Sequence, residues 1–324
     1  MPAGRRQRIQ RGIHQAGQHS RACQRLRHRR RADQALLGGV PTDHVAFNRF
    51  AALAAAVMSP AALAQGLRKL VVSGAGSPEQ VGAPQPDADI FAAGLTQSQH
   101  YLGLVAEGRI RVRPCIVGVA GRALRFADGS AEAADGTILG TGYRLSLPFL
   151  APDVAQALGL DDQHIDLHDH TFHPKLDGLA FHGLFDQVGP FFPVLDLQAR
   201  WLAHAWAGVV AAPDIAAMQA VLAACRARRG GPQAMPMHAM ALTFARNAGV
   251  EPDPEHWPEL RRALLFGPLS PASFRLVGPD RRADAAARTM ADAALFGCIA
   301  SPTMTDEEAV RWDGVRTRLH GDAA

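Results

Sequence analysis

Histidine and aspartate residues cluster near the middle of this 324-residue chain. The cluster consists of His164, Asp166, His168, Asp169, His170 and His173. Imidazoles and carboxylates at such short separations can ligate zinc, so these residues are the first candidates for chemistry. Neither helical nor strand periodicity places these spacings cleanly on one face. We therefore expect no metal at this cluster.

A glycine-rich turn is the second candidate. Residues 137–139 (Thr-Ile-Leu) form a short apolar run typical of a strand, and residues 140–143 (Gly-Thr-Gly-Tyr) follow directly. Glycines that follow a buried strand allow the backbone to approach a ligand closely. The pattern predicts a strand that ends in a ligand-facing turn, although many α/β proteins contain one.

Alternating patterns before this turn predict two further strands. Ile110 and Val112 alternate with arginines, and Leu124 and Phe126 flank another arginine. Asp128-Gly129 follows, and this dipeptide is typical of a tight turn because both residues tolerate positive φ. A strand over 110–112 and a hairpin at 124–129 are therefore expected. Further upstream, the alanine-rich run from Val45 to Met58 predicts a helix.

The C-terminal half contains short motifs in a fixed order. They are His-Thr-Phe-His-Pro at 170–174, Leu-Ala-Phe-His-Gly-Leu at 179–184, Gln-Val-Gly-Pro at 187–190, Phe-Pro at 192–193 and Leu-Gln-Ala-Arg-Trp at 197–201. The pattern predicts a strand over 179–185, and helices over 194–210 and from Pro213-Asp214 to Arg229. With the Gly-Thr-Gly-Tyr turn, this series resembles the flavin-containing monooxygenases and the related N-hydroxylases and Baeyer–Villiger monooxygenases. The resemblance extends from about Leu36 to the C-terminus, and it departs from the family in having Gly140 for alanine and Asp196 for glutamate.

The resemblance implies a flavin-dependent monooxygenase. In such enzymes NADPH reduces FAD, a C4a-hydroperoxide forms with oxygen, and one oxygen atom passes to a soft nitrogen or sulfur nucleophile or to a ketone. The implied cofactors are FAD and NADP(H), and the implied partners are a small-molecule substrate and molecular oxygen. Neither a nucleic acid nor a membrane is implied as a partner.

Matching the family motifs position by position suggests a set of cofactor-binding residues. They are Thr141, Gly142, Tyr143, Gly183, Gln187, Gly189, Gln198 and Arg200. Gly183, Gln187 and Gly189 would lie near the flavin ring. Gln198 and Arg200 would begin the helix beside the nucleotide cleft, with Arg200 near phosphate or ring. Two alternatives stay open: Arg200 pairs with Asp196 one turn earlier, and Trp201 and Trp206 belong to the core. The motifs identify no catalytic residue.

The implied fold class is α/β, an incomplete FAD/NAD(P)-binding fold of two Rossmann-like dinucleotide domains, mainly their C-terminal parts. Residues 36–150 would be a remnant of the NADP-binding domain, and residues 151–324 the C-terminal part of the FAD-binding domain with a helical tail. The fingerprint G-x-G-x-x-G is absent, since Gly74-Ala75-Gly76 is followed by Ser-Pro rather than by a helix start. We expect a truncated enzyme that is impaired as written. The alternative is a non-catalytic relic or a fragment that binds a partner.

The basic character of the chain is confined to its first residues. Residues 1–32 contain ten arginines and no acidic residue, whereas the whole chain carries a net charge of only +4. We interpret residues 1–35 as a disordered or frame-shifted segment rather than a nucleic-acid-binding arm, because no aromatic residues are interleaved with the arginines. No apolar run is long enough to span a bilayer, and the four cysteines are scattered, which favours a cytoplasmic protein.

Overall fold

The computed structural model describes residues 36–37, 39–83, 85, 98, 100–140, 143–231 and 235–321. These residues belong to two compact units. Unit 1 is built from residues within 61–143, and unit 2 from residues 36–60 and 144–324. Residues 36–60 therefore belong to the same unit as the C-terminal half.

Helices predominate over strands in the described residues. The helices are α1 (Thr42–Ala46), α2 (Arg49–Val57), α3 (Pro60–Ala75), α4 (Tyr101–Ala106), α5 (Pro152–Ala157), α6 (Phe192–Trp206), α7 (Ile215–Ala227), α8 (Met237–Asn247), α9 (Arg261–Phe266), α10 (Ala285–Ala294) and α11 (Asp306–Gly321). The strands are β1 (Leu36–Leu37), β2 (Val40–Pro41), β3 (Ile116–Ala120), β4 (Ala123–Phe126), β5 (Ala131–Ala133), β6 (Gln187–Val188) and β7 (Met235–Pro236). Among these helices, none combines the length and the apolar character that crossing a membrane requires.

The strands form small sheets. β1 pairs with β2 and β3-β4-β5 form a three-stranded sheet, all antiparallel, whereas β6 and β7 are parallel. The chain contains both helices and sheets, which confirms the prediction of a fold that mixes the two. Within the described residues, parallel pairing is limited to the two residues of β6 and the two of β7.

The hairpin of unit 1 confirms the prediction for residues 124–129. Phe126 is buried at the end of β4, and the next turn places Gly129 at φ 84°. The Ser130 backbone N–H donates to Asp128 Oδ1 at 2.9 Å, which is the local bond that makes Asp-Gly a turn sequence. The predicted strand at 110–112 is absent, because those residues pack on a small apolar cluster with α4 instead of pairing with a strand.

The predicted strand at 137–139 is wrong. The segment has no regular secondary structure, and Ile138 and Leu139 are 99% and 58% exposed. A strand forms only where neighbouring backbone satisfies its N–H and C=O groups. The described part of unit 1 pairs no strand with this segment.

Unit 2 is organised around α6 and α8. Val194, Leu197 and Trp201 recur at helical spacing on α6 and are each at most 1% exposed. The Trp201 ring lies against Phe244 of α8, with centroids 5.9 Å apart. The predicted helix at 194–210 is confirmed, and Trp201 belongs to the core whereas Trp206 is 63% exposed.

Capping residues define the ends of two other helices. Asn48 Oδ1 accepts the Ala51 N–H at 2.8 Å, so the predicted helix over 45–58 is divided into α1 and α2. Asp214 Oδ1 accepts the Ala217 N–H at 2.7 Å and begins α7 as predicted. The strand predicted over 179–185 is wrong, because pairing there is limited to a single bridge between Phe172 and Ala180.

Candidate functional site

Gln198 is the polar centre of unit 2. Its side chain lies on α6 and is fully buried. Its Oε1 accepts the Gly183 N–H at 2.8 Å. Its Nε2 donates to Thr171 Oγ1 at 2.8 Å and lies 3.1 Å from His170 O and 3.2 Å from Phe181 O. A single amide therefore fastens two loops, 168–172 and 181–183, to α6.

The first of these loops is a tight turn in a left-handed conformation. His168 and Phe172 form an antiparallel bridge, and two of the three residues between them, Asp169 and His170, have φ values of 41° and 54°. Left-handed backbone is costly for residues other than glycine, and such strain concentrates at functional sites. The turn is held by Gln198 and by Asn247, whose Nδ2 donates to Asp169 Oδ2 at 3.0 Å.

An aromatic stack lies beside the strained turn. The His170 ring meets Phe185 edge-on with centroids 6.0 Å apart, and Phe185 stacks on Phe191 at 5.9 Å with an interplanar angle of 3°. Phe191 is 42% exposed and the next residue, Phe192, is 85% exposed. The stack therefore presents apolar ring surface to solvent at the start of α6, where a planar ligand can pack.

The Gln187–Pro190 turn connects this stack to the core. Gln187 Nε2 donates to Pro190 O at 2.7 Å and to Gly189 O at 3.2 Å, while Gln187 Oε1 is buried without a hydrogen-bond partner. Gly189 has φ 112°, and a Cβ there would lie 2.8 Å from Met237 Cβ and 2.9 Å from Phe47 Cζ. Glycine at this position is required by both conformation and space.

Arg200 is held in an ion-pair network. Its Nε and Nη2 donate to the two oxygens of Asp280 at 2.8 and 2.7 Å, and Nη2 also donates to Phe274 O. Asp196 lies farther away, with 3.8 Å between Nη1 and Oδ2. Burial opposes ionisation of Asp280, but the Arg200 hydrogen bonds outweigh it and hold the carboxyl pKa below its usual value. The alternative of an Asp196 pair is thus met only in part, and Arg200 shares Asp280 with Arg275.

The remaining predicted cofactor residues belong to the glycine-rich turn. Thr141 and Gly142 lie outside the described residues. Tyr143 is described, and its side chain is fully exposed. Of the predicted residues, unit 2 therefore brings together Gly183, Gln187, Gly189, Gln198 and Arg200 along α6 and the loops before it.

A second polar cluster joins the loop after α5 to α7. His164 Nε2 lies 3.3 Å from Asp166 Oδ1 and 3.4 Å from Cys225 Sγ, and all three residues are buried. Arg226 Nε and Arg229 Nη2 each donate to Asp166 at 2.7 Å. Burial raises the pKa of Asp166, but these two hydrogen bonds outweigh it and keep the carboxyl pKa below its usual value.

Comparison with protein families decides what the α6 motifs represent. The flavin-binding monooxygenase-like family matches residues 38–295. This range covers most of the chain and includes both polar clusters. The chain belongs to this family.

Similarity to curated monooxygenases also supports the assignment of this chain to the family. The chain is 30% identical over 189 residues to rat dimethylaniline monooxygenase [N-oxide-forming] 2, and 28% identical over 189 residues to human flavin-containing monooxygenase 2. It is also 28% identical over 193 residues to guinea-pig flavin-containing monooxygenase 5. The first two matches cover 54% of this chain, the third covers 55%, and all three cover 35% of the relative. The chain thus spans about a third of the length of these relatives.

Several residues of this candidate site were not predicted from the sequence. They are Phe185 and Phe191 of the stack, Asp280 beside Arg200, and Asn247 beside the strained turn. Phe185 directly follows the motif at 179–184 and Phe191 directly follows the motif at 187–190, so a search for aromatic residues beside the motifs could have found them. Asp280 and Asn247 follow their partners by about 80 residues, and no local signal marks them.

A half-buried histidine makes the stability of unit 2 depend on pH. Burial lowers the pKa of His238, on α8, to about 4, so the folded state keeps the ring neutral. The unfolded ring titrates near 6.5, so stability is complete above that pH and falls as the pH drops from 6.5 to 4. We expect wild-type protein to lose roughly 1–2 kcal/mol through His238 between pH 7 and pH 5. Urea unfolding at the two pH values measures this loss.

A pair of variants isolates the His238 contribution. His238→Gln should show a smaller loss between pH 7 and pH 5 than wild type, because glutamine does not titrate. His256→Gln is the control, since the His256 side chain is 80% exposed. Equal losses in His238→Gln and wild type would show that another group causes the pH dependence.

Proposed function

We propose that this chain provides the flavin-ring side of an FAD- and NADPH-dependent monooxygenase that oxygenates a soft nitrogen or sulfur nucleophile or a ketone. FAD, when bound, would supply the reaction with oxygen and the transfer of one oxygen atom. The family match over residues 38–295 supports the general activity. The observation that carries the proposal to particular residues is the turn at Gln187 beside the Phe185–Phe191 stack.

The Gln187 turn fits the edge of a flavin ring. A buried acceptor without a partner costs about 1–3 kcal/mol, and Gln187 Oε1 is such an acceptor. A ring N–H that reached this atom when the turn opens would recover that cost. The exposed face of Phe191 offers apolar contact to the same ring.

The other predicted residues of unit 2 fit a supporting role. Gly183 N–H is occupied by Gln198, and Arg200 is hydrogen-bonded to Asp280. We propose that Gln198 and Arg200 position the loops rather than contact phosphate. Cofactor contact by Thr141, Gly142 and Tyr143 stays a prediction.

We further propose that residues 36–150 are the C-terminal part of an NADP-binding domain and residues 151–324 the C-terminal part of an FAD-binding domain, although residues 36–60 pack within unit 2. The 324 residues contain no G-x-G-x-x-G fingerprint, so they offer no glycine-rich pyrophosphate turn. The chain by itself should therefore bind flavin weakly and oxidise NADPH slowly. Reaction in the cytoplasm is part of the same proposal.

Flavin titration tests the proposal. Purified full-length chain is titrated with FAD and with FMN, and quenching of flavin fluorescence gives each dissociation constant. Since only ring contacts are proposed, both flavins should bind with similar affinity. Tight binding of FAD but not FMN would show that a pyrophosphate site exists and that this ring-only arrangement is wrong.

A Gln187→Leu variant identifies the contact residue. It should weaken binding of both flavins about fivefold, which corresponds to roughly 1 kcal/mol for one hydrogen bond. Gln219→Leu makes the same chemical change on an exposed face of α7 and should bind as wild type does. Equal affinities for the two variants would remove Gln187 from the site.

A second function has one specific observation in its favour. Ile138, Leu139 and Tyr143 expose apolar side chains within six residues of each other, and such exposure often marks a binding surface. A non-catalytic fragment that binds a partner would account for it. Failure of the chain to bind either flavin or to oxidise NADPH would support this second function.

A further inference from the structure

We propose that unit 2 binds a zinc-class divalent cation through His164 Nε2, Asp166 Oδ1 and Cys225 Sγ. These three ligand atoms all lie within 4.8 Å of one another. The site is separate from the Gln187 turn and does not depend on flavin binding.

Two of the three distances between the donor atoms match a tetrahedral zinc site, and the third is at most 4.8 Å. Zinc bonds of about 2.0–2.1 Å to nitrogen, 2.0–2.2 Å to oxygen and 2.3 Å to sulfur give tetrahedral edges of about 3.4 Å for N···O and about 3.5 Å for N···S. The observed separations are 3.3 Å for His164 Nε2 to Asp166 Oδ1 and 3.4 Å for His164 Nε2 to Cys225 Sγ. The atoms thus need little movement to bind an ion.

The donor chemistry also selects this class of cation. Imidazole nitrogen, thiolate sulfur and carboxylate oxygen are the ligand types that zinc takes from proteins. The thiol proton of Cys225 leaves to solvent on binding, so the cation gains a thiolate ligand beside the Asp166 carboxylate. A magnesium or calcium ion would require mostly oxygen ligands, which this cluster lacks.

The surroundings provide outer-shell support and access. Arg226 donates to Asp166 Oδ2, the oxygen that the cation leaves free, and so orients the carboxylate. Arg229 shares Oδ1, but it also donates to Gly159 O and to Asp161 Oδ2 at 2.6 Å and keeps both contacts if the cation displaces it. An open cavity of about 460 Å³, lined in part by Asp166, Lys175 and Arg226, can supply water as the fourth ligand.

His173 is not the fourth ligand, although it is buried and its Nε2 has no partner. Its Nδ1 accepts the Lys175 N–H at 3.3 Å, which places the ring proton on Nε2. The neutral imidazole has no second N–H proton, so metal binding at Nε2 would require removing the proton that this atom carries. Of the histidines that the sequence suggested as ligands, only His164 belongs to the proposed site. Cys225 is the sulfur ligand, and local spacing could not indicate it because it lies 61 residues from His164.

Cobalt titration tests the site. Tag-free, metal-depleted full-length chain is titrated with Co²⁺, and a thiolate-to-cobalt charge-transfer band in the near ultraviolet should develop with about one cobalt per chain. Zn²⁺ should abolish the band and raise the unfolding temperature. Absence of the band in wild-type protein would overturn the proposal and leave the cluster as an ion-pair network alone.

Two cysteine variants locate the binding. Cys225→Ala should lose the band and the thermal stabilisation, whereas Cys298→Ala should keep both, because Cys298 is the other free cysteine of the described residues. Cobalt bound by the histidines and cysteine of residues 1–35 would persist in Cys225→Ala, and this outcome would also overturn the proposal. His164→Gln should reproduce the loss, and it decides the matter if Cys225→Ala does not fold by circular dichroism.

Discussion

Replacing Gln198 by leucine is expected to destabilise unit 2 by about 3–5 kcal/mol. Leucine has nearly the same volume, but it leaves His170 O, Phe181 O and the Gly183 N–H without their partner. Thr171 Oγ1 loses one hydrogen bond and keeps its bond to Asp169 O. Each buried polar group without a partner costs about 1–3 kcal/mol, and relaxation of the loops recovers part of the sum. Urea unfolding followed by tryptophan fluorescence measures the loss, since all four tryptophans lie in unit 2.

Matched variants separate this effect from a general cost of replacing glutamine. Gln219→Leu, on the exposed face of α7, should change stability by less than about 0.5 kcal/mol. Gln198→Glu keeps an acceptor for Gly183 but faces three acceptor oxygens without the Nε2 donor, so it should be at least as unstable as Gln198→Leu. If Gln198→Leu is as stable as Gln219→Leu, the amide does not hold the loops.

Gln198→Leu also tests whether the Gln198 amide maintains the strained turn at Asp169 and His170, which lies beside the proposed flavin site. The left-handed backbone of Asp169 and His170 costs about 1–3 kcal/mol per residue and persists only where the surroundings enforce it. Removing the Gln198 amide removes one of the two side chains that hold the turn. Hydrogen exchange of the Thr171 and Phe181 amides should then accelerate more than exchange in α8. The loops proposed to face the flavin therefore depend on a residue that contacts no solvent.

The elements that the sequence predicted correctly are those with local causes. The helix α6 follows from apolar residues at helical spacing, α7 from its Asp214 cap, and the hairpin from Asp128-Gly129. The strands predicted at 137–139 and 179–185 are wrong because a strand also needs a neighbour in space. Apolar composition alone does not supply one.

In the candidate site, too, local sequence patterns predicted which residues are involved but not which residues they contact. The order of the motifs identified Gly183, Gln187 and Gln198 as candidate site residues, and the structure places them around α6. Their roles could not be read from the motifs, because burial and partners emerge only on folding. Asp280 beside Arg200 and Cys225 beside His164 are 80 and 61 residues from their partners, a separation at which no periodicity operates.

Replacing Asp166 by asparagine is expected to cost about 3 kcal/mol in buffer that contains a chelator. The change leaves Arg226 and Arg229 beside a neutral amide in a site where the original carboxylate is almost fully buried. Removing one partner of a buried ion pair costs about 3–5 kcal/mol, and the partial exposure of both arginines favours the lower end. Urea unfolding at pH 7 measures the difference.

The stability cost of Asp166→Asn is large because the Asp166 carboxylate is buried as well as charged. Asp161 provides the matched control. Asp161 pairs with the same Arg229 at 2.6 Å, but its side chain is 51% exposed, so Asp161→Asn should cost no more than about 1 kcal/mol. The folded pKa of Asp166 lies below 3.8, so its contribution is complete above that pH and is lost as the pH falls through the folded pKa. The gap between wild type and Asp166→Asn should therefore narrow in acid. A constant gap, or equal costs for the two aspartates, would show that the two guanidiniums do not depend on a buried charge.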